Sequence, residues 1–149
     1  MPLEAIARSL SQWEWLGQLL ARISVGVLFF LSGRGKLFVP ARREQMRQTL
    51  RDAGVPLPEL SAPVISAVEF LCGALLCVGL VTPIACVMLT AVMLGALTTT
   101  QLPRVRAAFV AEWLGEVFYL PEVSYVVILV WLFFAGPGWF SVDDRLLSR

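Results

Sequence analysis

The sequence predicts an all-α integral membrane protein, a four-transmembrane-helix bundle with short amphipathic interfacial helices. Three observations predict it. Of the 149 residues, 58% are hydrophobic, and the mean hydropathy of +0.76 is too high for an ordinary soluble domain. Four segments, residues 16–38, 60–81, 84–102 and 123–137, approach the roughly 20 apolar residues that a helix needs to cross about 30 Å of hydrocarbon. Basic residues concentrate in alternate loops. The length is that of a single domain, residues 1–149.

Each element follows in order. Residues 1–15 read as a short surface helix with Ile6 and Leu10 on one side. Glu4 and Glu14 interrupt the region before the first span, and no small-residue cleavage site follows a short apolar core, so the first span is expected to be retained rather than removed as a signal peptide. Trp13 and Trp15 before that span, and Trp131 and Trp139 around the last, suit interfacial anchoring. Residues 40–54 alternate basic side chains with Met46, Leu50 and Ala53, the pattern of an amphipathic helix on the membrane surface, ended by Gly54, Pro56 and Pro58. Thr82-Pro83 is expected to turn the chain between spans two and three. In residues 104–120, Val110, Trp113 and Val117 recur at helical spacing with Glu112 and Glu116 on another face, which fits a re-entrant or interfacial helix.

Charge sets an orientation. The first loop holds Arg34, Lys36, Arg42, Arg43, Arg47 and Arg51, and the third adds Arg104 and Arg106; the other side has Arg8, Arg145 and Arg149. The positive-inside rule puts both basic loops in the cytoplasm and both termini outside. The net charge of +1 gives no reason to expect a nucleic-acid partner.

Missing residues narrow the chemistry. The chain has no histidine, which removes His-ligated haem, zinc or copper and His-based acid–base catalysis from within it; no metal site is expected. Its three cysteines are Cys72, Cys77 and Cys86. Cys72 and Cys77 point about 140° apart on a helix, whereas Cys77 and Cys86 flank the expected turn. Free thiols in such places are commonly small buried hydrophobes, and a dithiol is the rarer alternative.

Three charges in apolar runs carry the functional signal: Arg22, Lys36 and Glu69. A charge at mid-bilayer costs about 2.5–3.5 kcal/mol on insertion scales and calls for a partner, water or a role. Helical spacing places Arg22, Gly26, Phe29, Gly33 and Lys36 on one stripe of span one, and Ala62, Ser66, Glu69, Gly73 and Leu76 or Cys77 on one stripe of span two. Small residues on both stripes favour close contact between them. At 1.5 Å per residue, Lys36 lies about 6 Å and Glu69 about 13 Å inside the first-loop boundary, with Arg22 about 27 Å from it. Two polar clusters are therefore expected, Lys36–Glu69–Glu122 on the loop side and an ion pair of Arg22 with Asp143 on the terminal side. The plainer alternatives are that Arg22 and Lys36 only snorkel to the interface, and that Glu69 only locks helices together.

At these residues the chain resembles the DoxX family of small four-helix membrane proteins. The resemblance rests on Arg22 with Leu31-Ser32-Gly33-Arg34-Gly35-Lys36, on Ala53-Gly54-Val55-Pro56-Leu57-Pro58, and on Glu69-Phe70-Leu71-Cys72-Gly73 followed by Gly79-Leu80-Val81-Thr82. Glu122, Tyr125 and the segment from Gly136 to Asp143 complete it. It implies a multi-pass protein of the bacterial inner (plasma) membrane labelled an oxidoreductase, with relatives linked to quinone reduction coupled to thiosulfate oxidation or to thiol and oxidative-stress handling. It also marks Arg22, Lys36, Glu69, Glu122 and Asp143.

The leading functional expectation is a membrane subunit of a redox system, quinone-linked or thiol-handling, working with a partner redox enzyme or as a homo-oligomer and lacking a metal or haem of its own. Glu69, Lys36 and Glu122 are the candidate catalytic groups, Arg22 and Asp143 a structural pair, and Phe29, Phe30 and Tyr125 candidate ring contacts for a quinone, the one cofactor-like ligand expected. The alternatives are a non-catalytic membrane anchor or scaffold and, third, a small-solute carrier coupled through Glu69.

Overall fold

The computed structural model describes residues 13–105, 109–138 and 140–147. The expected surface helix falls almost wholly on residues 1–12, outside that range, as do Arg8, Arg106, Trp139 and Arg149. Among the described residues every regular element is helical: α1 Glu14–Phe38, α2 Pro40–Asp52, α3 Pro58–Val78, α4 Thr82–Ala96, α5 Val110–Tyr119, α6 Pro121–Ala135 and α7 Val142–Leu147. Beyond Ala96, α4 widens into a π-helical turn, Leu97–Gln101, and closes with a 3-10 turn, Leu102–Arg104.

Three helical stretches are long and apolar enough to cross a membrane: α1, α3, and α4 with its terminal turns. The expected straight span over 123–137 is not among them. With 15 residues, α6 measures about 22 Å, short of the hydrocarbon thickness. It reaches that depth only together with α5, from which it is bent by 69°. Pro121 causes the break. It cannot donate the backbone bond needed to continue α5, and it holds Leu120 in an extended conformation.

The reversal after α3 also lies elsewhere than expected. Gly79 takes a left-handed conformation (φ +66°), and Leu80 N–H bonds back to the Leu75 carbonyl, the Schellman arrangement that ends a helix. Thr82 and Pro83 are then the first turn of α4, where proline's missing donor costs nothing. The three cysteines are free: Cys77 sits against Gly26 of α1, and Cys72 and Cys86 join the core. The α2 expectation agrees with the structure. It runs from Pro40 to Asp52, Gly54 has φ +69°, and Val55 N–H bonds to the Leu50 carbonyl.

Packing builds the bundle from two helix pairs, α1 on α3 and α4 on α6, joined through the α3–α4 hairpin. Phe29, Leu76, Cys86, Leu89, Leu129 and Leu132 form the middle of the core. Outward faces stay apolar, with Val64, Leu71, Ile84, Val87 and Phe134 all exposed, as suits a surface whose solvent is lipid. The α1–α3 contact is the tightest. A Cβ on Gly33 would lie 2.3 Å from Phe70 N, and one on Gly73 would lie 2.4 Å from Phe30 N. These two helices therefore touch backbone to backbone.

Gly33→Val is expected to force them apart, costing about 1–3 kcal/mol or more and visibly lowering the thermal midpoint of the purified protein. Gly17→Ala, where an added Cβ meets nothing within 4 Å, is expected to leave the midpoint unchanged or raise it slightly, because alanine is the better helix former.

Candidate functional site

The contact at Gly33 determines what faces Glu69. Ser32 and Lys36 are one turn apart on α1, beside that glycine, and the close approach lays both over the middle of α3. Lys36 Nζ is 2.7 Å from each Glu69 carboxylate oxygen, and Ser32 Oγ donates to Oε2 at 3.0 Å. Glu69 is 2% exposed and the Lys36 side chain 26%, so a buried carboxylate is held by a cation that still reaches the edge of the bundle. A pair of this kind keeps its charge only because each partner replaces the water the other has lost.

Beside the pair lies a cavity of about 540 Å³, within the usual range for small-molecule sites. Ile65 and Val68 of α3 and Val92 and Met93 of α4 give it apolar walls, and Met46, Thr49 and Leu50 of α2 cover it from the loop side. Between α3 and α4 its lining includes Val64 and Met88, which are exposed on the outer surface. Besides Thr49, its polar groups are Lys36 and Glu69 on one side and Thr99, Thr100, Gln101 and Glu122 on another. The π-helical turn presents Thr99, Thr100 and Gln101, since a widened turn shifts the facing of its residues, and Glu122 comes from the first turn of α6. Gln101 Nε2 donates to Glu122 Oε1 at 2.7 Å, while Glu122 Oε2 is buried without a partner.

The expected trio is thus an ion pair with a separate carboxylate on the same cavity. Lys36 and Glu69 bond each other, and Glu122 bonds Gln101. The expected aromatic contacts are not in the lining. Phe29 is buried edge-on against Tyr125 at 5.9 Å, and Phe30 stacks on Phe70 at 4.8 Å. The stripe that carries Lys36 to Glu69 turns Phe29 into the core. Ser32 and Gln101 were missed by reading charges alone. Ser32 stands one helical turn before Lys36, and a polar run, Thr98 to Gln101, closes the third span, so both left a trace in the sequence.

In the second cluster the charges of Arg22 and Asp143 attract each other, and each makes its hydrogen bonds to peptide groups. Arg22, 1% exposed, donates from Nη1 to the Pro137 carbonyl and from Nη2 to the Phe140 carbonyl at 3.0 Å. Asp143 accepts from Val81 N–H at 2.8 Å and Thr82 N–H at 2.9 Å, and its own N–H bonds to the Gly79 carbonyl at 3.0 Å. Each charge has found peptide groups: Arg22 the carbonyls just after α6, Asp143 the free amides that open α4. Gly79 is pinned between them, because a Cβ there would lie 2.6 Å from both Arg22 Nη1 and Ser141 Cβ. Burial pushes the Asp143 carboxyl up, but the Thr82 and Val81 hydrogen bonds and the charge of Arg22 outweigh it and hold the group below its ordinary value.

A family model described as DoxX matches residues 17–102. The uncharacterized membrane protein Rv3486 of Mycobacterium tuberculosis is 33% identical over 135 residues, covering 86% of this chain and 80% of its own. A Bacillus subtilis protein named "Putative oxidoreductase CatD" is 34% identical over 124 residues, covering 83% and 80%. No solved structure matches the chain.

Two outcomes test these clusters. Removing one partner of the buried pair, as in Lys36→Met, is expected to cost about 3–5 kcal/mol, whereas Lys36→Met with Glu69→Leu is expected to recover most of that loss; denaturation of the single and double variants measures it. Asp143, with a lowered folded value, contributes stability that is complete above about pH 4, the unfolded carboxylate value. That contribution disappears as pH falls through the folded value. An acid titration of stability is expected to lose this step in Asp143→Asn.

Proposed function

Because the chain belongs to the DoxX family of membrane proteins, we propose that it is a membrane subunit of a redox system that binds a quinone-type ligand in the cavity beside Lys36 and Glu69. The cavity itself carries the reading. It is apolar over most of its wall and bounded by exposed apolar residues between α3 and α4, a route suited to a ligand dissolved in the bilayer. Hydrogen-bonding groups converge on it from two sides. A quinone ring asks for an apolar slot and donors to its carbonyls. Lys36 and Gln101 are the donors, and Glu122, with one oxygen buried and unpartnered, is the group placed to take or give a proton.

Reduction of a quinone to a quinol consumes two electrons and two protons. The electrons come from a protein partner, a dehydrogenase or a thiol-oxidising enzyme, and the chain's own residues bind the ring and relay protons. The basic α2 side is the cytoplasmic side of a bacterial inner membrane in this reading, following the positive-inside rule. The name of the Bacillus subtilis relative supports oxidoreductase chemistry. A non-catalytic anchor is the second reading, and one observation favours it: Phe109, Val110, Phe118 and Tyr119 leave the α5 region broadly exposed and apolar, a surface that a partner enzyme could cover.

Purified protein in lipid nanodiscs is expected to bind a short-tailed ubiquinone or menaquinone analogue saturably. Glu69→Gln, which releases Lys36 and alters the polar wall, is expected to weaken binding about tenfold or more. Gly95→Phe, which adds bulk where a Cβ meets nothing within 4 Å, is expected to fill the cavity and abolish binding with the ion pair intact. Absence of quinone binding by the unmodified protein would leave the anchor reading standing.

A further inference from the structure

We infer that the elbow between α1 and α2 is a binding site for the phosphodiester headgroup of an anionic phospholipid. The site is separate from the Lys36–Glu69 cavity and does not depend on the redox reading. It is a recess of about 500 Å³ lined by Leu31, Arg34, Gly35, Phe38, Val39 and Arg42. Leu31, Arg34, Gly35 and Phe38 recur at three- and four-residue spacing and so share one face of α1. Val39 breaks the helix in an extended conformation, and α2 brings Arg42 back over that face. Gly35 makes the notch: a Cβ there would lie 3.0 Å from both Cδ and Nη1 of Arg42.

The two guanidinium groups of this recess are uncommitted. Along α2, Arg43 donates to the Leu37 carbonyl, and Arg47 and Arg51 pair with Glu44 and Glu59. Arg34 and Arg42 have no hydrogen bond or ion pair with any described residue. Their neighbours are apolar and outward-facing, Leu31 at 51% exposure and Phe38 at 66%. Two free guanidinium forks at the end of a span match a phosphate in charge and geometry. Exposed Leu31, one turn deeper along α1 than Arg34, and exposed Phe38, at the elbow beside Arg42, match the apolar chains that a phospholipid extends from the phosphate. A soluble anion would use the arginines and leave both apolar side chains uncovered. The position at the basic end of the spans is where anionic headgroups lie in the leaflet.

The test is retention of lipid by the full chain in neutral detergent, read by native mass spectrometry. Phosphatidylglycerol is expected to be retained more tightly than phosphatidylcholine. Each arginine removed is expected to weaken retention about five-fold, so Arg34→Gln with Arg42→Gln should bring phosphatidylglycerol close to phosphatidylcholine. Gly35→Leu is expected to produce a comparable loss with both arginines still present, because it fills the notch. Arg104→Gln, an equal change of charge elsewhere, is expected to leave retention unchanged. Equal retention of the two lipids by the unmodified protein would overturn the inference, as would unaltered retention in Gly35→Leu. Glycerol phosphate binding as tightly as the lipid would overturn it too, by making the recess a site for soluble anions.

Discussion

The contact of the α1 and α3 backbones at Gly26, Gly33 and Gly73 is the constraint on which the rest of the molecule depends. Hydrophobic burial gives membrane helices little reason to associate, since lipid tails are as apolar as leucine; close packing and polar bonds must do it. The glycines allow the axes to approach until one backbone lies against the other. At that separation a lysine from one helix and a glutamate from the other meet as hydrogen-bonded neighbours. With bulkier residues at those positions the same two charges would face each other across lipid or water, and Glu69 would lose the partner that makes its burial tolerable.

Buried charge is offset in two different ways in this fold. Near the α2 end, charge meets charge, with Ser32 as a third participant. Near the α7 end, charge meets the peptide dipole: Arg22 takes carbonyls and Asp143 takes amides. The second solution is a clasp, since it ties α1, the α3–α4 turn and the segment after α6 to one another through backbone groups that any sequence supplies. Its specificity lies in Gly79, whose missing side chain leaves room for the guanidinium.

The sequence was legible where the physics is local or periodic. Both small-residue stripes fell on buried faces, α2 and its glycine cap lie where amphipathic spacing put them, and depth counting correctly separated Lys36 with Glu69 from Arg22 with Asp143. Interactions that depend on backbone geometry were not legible. Peptide carbonyls and amides are present at every position, so no pattern marked Pro137 and Phe140 as the acceptors for Arg22. The π-helical turn that presents Gln101 is a change in winding and leaves only a polar run as its trace. The break at Pro121 was visible as a residue, but its 69° bend depends on how α5 meets the bundle.

The Arg22 clasp has a consequence for the making of the protein. Its acceptors lie 115 and 118 residues further along the chain, so the first helix is synthesised long before the groups that satisfy its arginine exist. At 5–20 residues per second the interval is on the order of ten seconds. During that time the guanidinium must rest at the membrane–water boundary or against lipid headgroups and draw inward only when the tail arrives. Closure of this end of the bundle is therefore a late event in biogenesis, with the arginine held in waiting from the first span onward.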